Sequence, residues 1–202
     1  VYTSTPVQSV KRQSSGAIVH LESGASHQFD AVILATHANQ SLKIIDSPTK
    51  DEEQLLGAWN YSSNQTILHT DTSCIPKQKS AWASWMVRDY GNYQLKDGVS
   101  VTYLMNRLQR LKTKETYLVS LNTPVEIDKQ KQLRTIQYEH PIFNQESMNT
   151  QSSLSKLNQT GPVFYCGAYF GYGFHEDGLQ SAQTIVTDIE SRDYVKTITN
   201  VS

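Results

Sequence analysis

The stretch Gly161-Pro162-Val163-Phe164-Tyr165-Cys166-Gly167-Ala168-Tyr169-Phe170-Gly171-Tyr172-Gly173-Phe174-His175-Glu176-Asp177-Gly178-Leu179 decides how this chain is read. Pro162 to Cys166 is a short apolar run, as a buried strand requires. Gly167 to Phe174 alternates glycine with aromatic residues and reads as a loop. Beyond His175, the residues Leu179, Ala182, Val186 and Ile189 recur at spacings of three and four, which predicts a helix with that apolar face. A strand, a glycine loop and a helix N-terminus form a site for an anion or a dinucleotide. Glycine lets a ligand approach the backbone, and the first helical amides have no partner in the chain. Gly178 at the helix start permits such an approach. The same pattern serves equally well as a plain strand–loop–helix connection in an α/β fold, and nothing local chooses between the two.

Working outward from this stretch, the first third of the chain reads as strands. Val7 to Val10 and Ala17 to Leu21 flank the turn at Ser15-Gly16, and Ser23-Gly24 marks the next turn. Phe29 to Thr36 is almost continuously apolar, which predicts one strand buried on both faces. Asn39 to Ile45 reads as a short helix. A second helix begins after Thr49, an N-cap followed by Asp51, Glu52 and Glu53 in the first turn, with Gln54, Leu55 and Leu56 facing inward.

From Asn64 the period changes to two. Gln65–Thr70, Ala81–Val87, Val99–Leu104 and Tyr117–Leu121 read as strands of a mixed or antiparallel sheet. Turns are expected at Tyr90-Gly91-Asn92 and Lys96-Asp97-Gly98, and a helical excursion at Arg107–Leu111. The polar segment from Thr123 to Thr160 holds Tyr138-Glu139-His140-Pro141-Ile142-Phe143 and a predicted helix from Asn144 to Leu157.

Several function classes find no support. The 18 basic and 19 acidic residues nearly cancel, so electrostatics favours neither nucleic acid nor an anionic membrane as partner. No run is long and apolar enough for a transmembrane segment, and no signal peptide is visible, so a cytoplasmic location is expected. Cys74 and Cys166 suit neither a disulfide scaffold nor a zinc site, and Cys166 reads as a buried small side chain. Asn-x-Ser/Thr triplets at Asn60, Asn64, Asn158 and Asn200 are expected by chance in so polar a chain. His175, Glu176 and Asp177 are consecutive and point in different directions, so no metal is expected there; acids at a helix start are ordinary caps. Gly171-Tyr172-Gly173 fails the dinucleotide fingerprint, because the third glycine position holds Glu176. No Ser-His-Asp order is present. Trp59, Tyr61, Trp82, Trp85, Tyr103, Tyr169 and Tyr172 suit either core packing or a pocket for an apolar or cationic molecule. The first residue is Val1 and leads straight into strand-like sequence, which reads as a piece of a longer chain.

The terminal stretch, from Gly161 to Leu179, resembles the C-terminal FAD motif of bacterial flavin-containing amine-oxidase-like proteins, the branch known as predicted NAD/FAD-binding proteins. Asp30 to His37, Val101 to Gln109 and Tyr138 to Pro141 are similar to that branch as well, in the same order. The resemblance implies an α/β (mixed α+β) fold with a partial Rossmann-like FAD-binding lobe from residues 1–45 and 161–202, and a mixed-sheet substrate lobe from 46–160. It implies FAD as cofactor and amine-oxidase-like hydride transfer from a small-molecule substrate to the flavin, with desaturation or isomerisation of a lipid-like substrate as the alternative. It places Val7 beside the adenine, Ala35 and Thr36 near the pyrophosphate, and Gly167 and Ala168 near the ribityl and phosphate region. Glu176, Asp177, Gly178 and Leu179 would present backbone amides to the flavin pyrimidine edge, where the helix dipole favours the negative charge of reduced flavin. Tyr169, Tyr172, Phe174 and His175 would line the substrate pocket, with His175 facing the flavin. Relatives often carry an acid where this chain has Ala168. Their N-terminal strand and G-x-G-x-x-G loop would precede Val1, as a missing N-terminal FAD-binding segment, and the fragment alone is expected to be inactive. A non-catalytic substrate or interaction lobe without bound flavin is the rival reading.

Overall fold

Gly16 shows why the first strands fold where they do. Its φ is +121°, and a Cβ there would lie 2.2 Å from the carbonyl oxygen of Phe29, so only glycine fits the turn. A computed structural model describes residues 1–87 and 100–191. The expected turns at Tyr90-Gly91-Asn92 and Lys96-Asp97-Gly98, Val99 and Asn200 lie outside the described residues. The chain forms two compact units, one from Val1–Tyr61 with Pro141–Ser202 and one from Ser62–His140.

In the first unit, β1 (Val7–Gln13), β2 (Gly16–Leu21) and β3 (Ser26–Phe29) make an antiparallel meander. The expected strand Phe29–Thr36 is not continuous. It breaks at Asp30-Ala31; Phe29 ends β3, and β4 is only Val32–Leu34. Nor is β4 buried on both faces, since Ile33 is 43% exposed. β4 pairs in parallel with β10 (Val163–Tyr165), in the register Val32↔Val163, Ile33↔Phe164, Leu34↔Tyr165. Helix α1 (Ala38–Ile44) follows β4. Helix α2 (Lys50–Gly57) starts at Thr49, whose side chain accepts from the Glu52 amide while Glu52 reaches back to the Thr49 amide. Leu55 and Leu56 face inward as expected; Gln54 does not, and Glu52 does.

The predicted helix over 144–157 is two pieces, α4 (Gln145–Gln151) capped by Asn144 and a 3-10 turn at Leu154–Asn158. After β10 come a 3-10 turn at Ala168–Phe170 and helix α5 (His175–Ser191). The α5 stripe is rotated from the expected one. Ile185 is fully buried with Phe164 and Cys166, supported by Ala182 and Ile189, while Leu179 and Val186 are about half exposed. The main core of this unit gathers Val10, Leu34, Leu56, Trp59, Val163 and Tyr165, each large apolar side chain contributing about 1.5–3 kcal/mol by leaving water.

Residues 46–61 and 141–160, expected in the substrate lobe, belong to this first unit. The physical reason is their apolar side chains: Leu55, Leu56, Trp59, Leu154 and Leu157 share one core with the strands of the chain's two ends.

The second unit is built on a five-stranded sheet in the order β6-β7-β8-β5-β9, from β5 (Tyr61–His69), β6 (Trp85–Val87), β7 (Val101–Leu104), β8 (Leu118–Leu121) and β9 (Gln132–Pro141). The expected strand 81–87 is shorter, because Lys79–Ala81 coils into a 3-10 turn, and the excursion after β7 is helix α3 (Met105–Leu108). β9 has no counterpart in the expected strands. Ile67, Cys74, Leu104, Leu118 and Ile127 form this unit's core on one face of the sheet.

Candidate functional site

The parallel pair determines the site geometry. β4 and β10 run the same way, so their carboxyl ends lie side by side, and ligands of open α/β sheets sit outside those ends. The Cys166 amide donates to the Leu34 carbonyl at 3.2 Å and extends the pairing one step beyond the strands. Directly after it come Ala35-Thr36 on one strand and Gly167-Ala168 on the other. A Cβ at Gly167 would lie 3.7 Å from the Thr36 carbonyl oxygen. Four of the expected cofactor residues are thus brought together: Ala35, Thr36, Gly167 and Ala168. Val7 joins Ala35 and Thr36 along a cleft of about 640 Å³.

Helix α5 comes up to this point from the other side. Its first amides, at His175, Glu176 and Asp177, have no preceding turn to donate to. Gly178 lies closest to the strand end. A Cβ there would sit 3.6 Å from the Ala168 amide nitrogen and 4.0 Å from the Gly167 carbonyl carbon, which is ordinary contact. Packing therefore does not demand glycine at 178, although glycine in a helix costs about 1 kcal/mol relative to alanine. A missing side chain beside an amide is the cradle that a phosphate or flavin edge would use, and in this respect the residues fit a flavin nucleotide. Gly167 differs: a Cβ there would fall 2.6 Å from the Tyr169 ring, so the protein's own packing requires that glycine.

The loop between strand and helix is held by its own side chains. Asp177 Oδ2 accepts from the amides of Tyr172 at 3.0 Å and Phe174 at 2.9 Å. Gln151 Nε2 donates to the Gly171 carbonyl at 2.6 Å, and Ser181 Oγ accepts from the Gly167 amide at 3.0 Å. The Asp177 carboxylate is therefore a loop brace, and only its backbone amide stays available. Leu179 and Glu176 are exposed at the helix start.

The four expected substrate-pocket residues separate. Tyr172, Phe174 and His175 are exposed at the loop surface, whereas Tyr169 is buried in the core between Trp59 and Phe170, at ring distances of 5.8 and 5.0 Å. Burial pushes its phenol far above the ordinary range. An aromatic residue in a glycine loop has no sequence mark that separates a wall of a pocket from a core filler.

One network behind the site was not legible. Glu52 on α2, 3% exposed, accepts from the Tyr165 hydroxyl at 2.5 Å and from the Arg12 guanidinium, which also donates to the Tyr165 oxygen at 3.1 Å. Asn158 clasps the Tyr165 backbone, donating to its carbonyl at 2.9 Å and accepting from its amide at 2.7 Å. β1, α2 and β10 are thereby tied behind the cradle. Burial, then the Glu52 carboxylate, raise the Tyr165 phenol far above its usual value, so it stays a donor.

In the second unit, His69, Ser120 and Thr102 form a buried chain with contacts of 2.9 and 2.8 Å. His69 Nδ1 accepts from the Asp71 amide at 3.2 Å, so its proton resides on Nε2 and is donated to Ser120. The ring cannot take a proton from that serine, and the Asp71 carboxylate is engaged with the amides of Ser73 and Asp128. This is a structural seam, not a nucleophilic triad. Among the described residues, no cluster of His, Cys, Asp and Glu could hold a metal ion, and no helix is long and apolar enough to cross a membrane.

No curated protein sequence matches the chain. Among solved structures, a CLA-producing fatty acid isomerase from P. acnes is similar over 91% of this chain and 47% of its own, with 11% identity and a TM-score of 0.60. Wild-type putrescine oxidase bound to putrescine is similar over 93% of this chain and 49% of its own, with 14% identity and a TM-score of 0.60. A doubly substituted form of that oxidase reaches a TM-score of 0.62 at 14% identity, over 93% of this chain and 49% of its own. The chain thus spans about half the length of the structures it matches, and at these identities they speak for the fold alone. Residues 1–106, more than half of the chain, match the family model of flavin containing amine oxidoreductases; this chain belongs to that family.

Proposed function

We propose that the intact protein is a FAD-dependent oxidoreductase in which these residues supply one half of the cofactor site. The observation that carries this reading is the cradle at the carboxyl ends of β4 and β10, where Thr36, Gly167 and Ala168 meet the start of α5 at a glycine that packing does not require. Bound there, FAD would accept a hydride or its equivalent from a small-molecule substrate.

The protein's own residues hold and orient. The Ala168 amide and the first amides of α5 would bind the negative end of the cofactor, and the helix dipole favours charge at that point. The Asp177 carboxylate keeps the loop's shape by occupying the Tyr172 and Phe174 amides. Val7 and the cleft shared with Ala35 and Thr36 would take the adenine end. Tyr172, Phe174 and His175, exposed beside the cradle, would face the substrate, and no base is assigned.

A preceding segment would complete the site. Among the described residues the β4–β10 sheet has two strands, and Ile33 is exposed on it. Parallel sheets are normally covered on both faces, so two strands invite further ones. In this reading the 202 residues alone bind FAD weakly and turn over no substrate.

The test is a visible absorption spectrum of the purified chain and of a version extended at its N-terminus, each mixed with FAD and desalted. A flavin band retained by the longer protein supports the reading, and bleaching of that band by substrate identifies the chemistry. If neither protein retains or binds flavin, the reading fails.

A further inference from the structure

Among the described residues Arg134 has no ion-pair partner, and that limits what the second unit can bind. The unit's core occupies one face of the sheet. On the other face, Leu68 of β5, Val119 of β8 and Ile136 of β9 floor a pocket of about 440 Å³, closed at one side by Leu111 after α3. This volume lies in the range of small-molecule sites. Arg134 and Tyr138 follow the strand's alternation and line the same pocket, two residues to either side of Ile136. Among the described residues, Arg134 is the one charged residue in the lining, and its guanidinium makes no hydrogen bond or ion pair. Among the described residues no carboxylate lines the pocket. A protonated amine would meet a like charge with nothing to neutralise it, whereas a carboxylate or phosphate would gain a guanidinium partner. The apolar floor would take the rest of such a molecule.

We infer that this pocket binds an amphipathic anion, an apolar chain bearing a carboxylate or phosphate head, with Arg134 as the head-group anchor. Naming that molecule as the substrate class rests on the flavoprotein reading above; the binding site itself does not.

The test is calorimetric titration of the 202-residue chain with oleate below its micellar concentration, with oleyl alcohol and oleylamine as neutral and cationic counterparts, and with phosphatidylglycerol vesicles. Oleate is expected to bind more tightly than the alcohol or the amine. Arg134→Gln, at an exposed position, should weaken oleate roughly tenfold and leave the alcohol unchanged. Arg134→Lys should restore most of the loss, and Leu111→Trp, which fills the pocket, should weaken oleate and alcohol together. If the vesicles bind and oleate does not, with the same Arg134→Gln loss, the anion is a lipid phosphate. The proposal is overturned if oleylamine binds as tightly as oleate, if Arg134→Gln weakens oleate and alcohol alike, or if neither oleate nor vesicles bind. Flavin binding measured in parallel separates the two proposals, because oleate can bind a chain that takes no FAD.

Discussion

Replacing Glu52 with alanine removes three things from the first unit at once. The bond from the Thr49 amide to the Glu52 carboxylate, one half of the α2 capping box, is lost, worth about 1 kcal/mol, while Thr49 still caps the amide of residue 52. The Tyr165 hydroxyl, fully buried, loses its acceptor, which costs about 1–3 kcal/mol. Arg12 loses a charged partner, but its side chain is 26% exposed and can turn to water, so that loss is about 1 kcal/mol. The total is about 3–5 kcal/mol, the range found when one partner of a buried pair is removed. Tyr165→Phe removes only the hydroxyl and leaves Glu52 with Arg12 and the Thr49 amide, so it should cost about 1–2 kcal/mol. In the double variant the losses should fall short of additive, since both act through one contact. Hydrogen exchange of peptides from α2 and β10, followed through urea unfolding, reports this unit alone. A Glu52→Ala loss below about 1 kcal/mol would refute the reasoning, as would strict additivity with Tyr165→Phe.

Four further outcomes follow from the same structure. Gly178→Ala should preserve or raise the stability of α5, by up to about 1 kcal/mol, while weakening FAD binding to the extended protein; unchanged affinity in a flavin fluorescence titration would contradict the cradle. Gly171→Ala would place a Cβ 2.4 Å from the Asp177 carboxylate and should release the Tyr172 and Phe174 amides to faster hydrogen exchange. Burial, only partly offset by Asp71, lowers the pKa of His69 below 6.5. Its neutral ring therefore contributes stability that is complete above that pH and is lost as pH falls through the folded value, and His69→Gln should flatten this acid slope in the second unit's unfolding. Burial raises both cysteine thiols, so Cys74 and Cys166 should stay inert to a thiol reagent until the protein unfolds, with Cys74 released with the second unit and Cys166 with the first.

What could be read in advance was local. Thr49 announced α2 because a cap acts within four residues, and the glycine loop before α5 was visible for the same reason. β9 escaped because its sequence is mostly polar, with Arg134, Gln137 and Glu139 exposed, so no apolar alternation marks it. Phe29 to Thr36 misled in the opposite way: an apolar run signals burial, not continuity, and the chain turns at Asp30. The Arg12–Glu52–Tyr165 tie lies outside any window of sequence, because its members stand on three elements that meet only in the folded unit. Of the candidate site, the positions at the two strand ends follow from the motif, whereas the fate of each aromatic ring depended on neighbours such as Trp59 and Phe170 that are remote or silent in sequence.

The pairing of β4 with β10 also sets an order of events at the ribosome. Residues 32–34 are made early, but their partner strand emerges only after the whole of Ser62–His140 has been synthesised. The second unit can close while the meander waits. Once closed, it turns a long flexible span into a short one and lowers the entropy cost of bringing the two ends together. Slow translation through Gln132–Pro141, where β9 is made, should therefore raise the yield of soluble protein, and deleting that strand should strand the first unit's early strands without their mate.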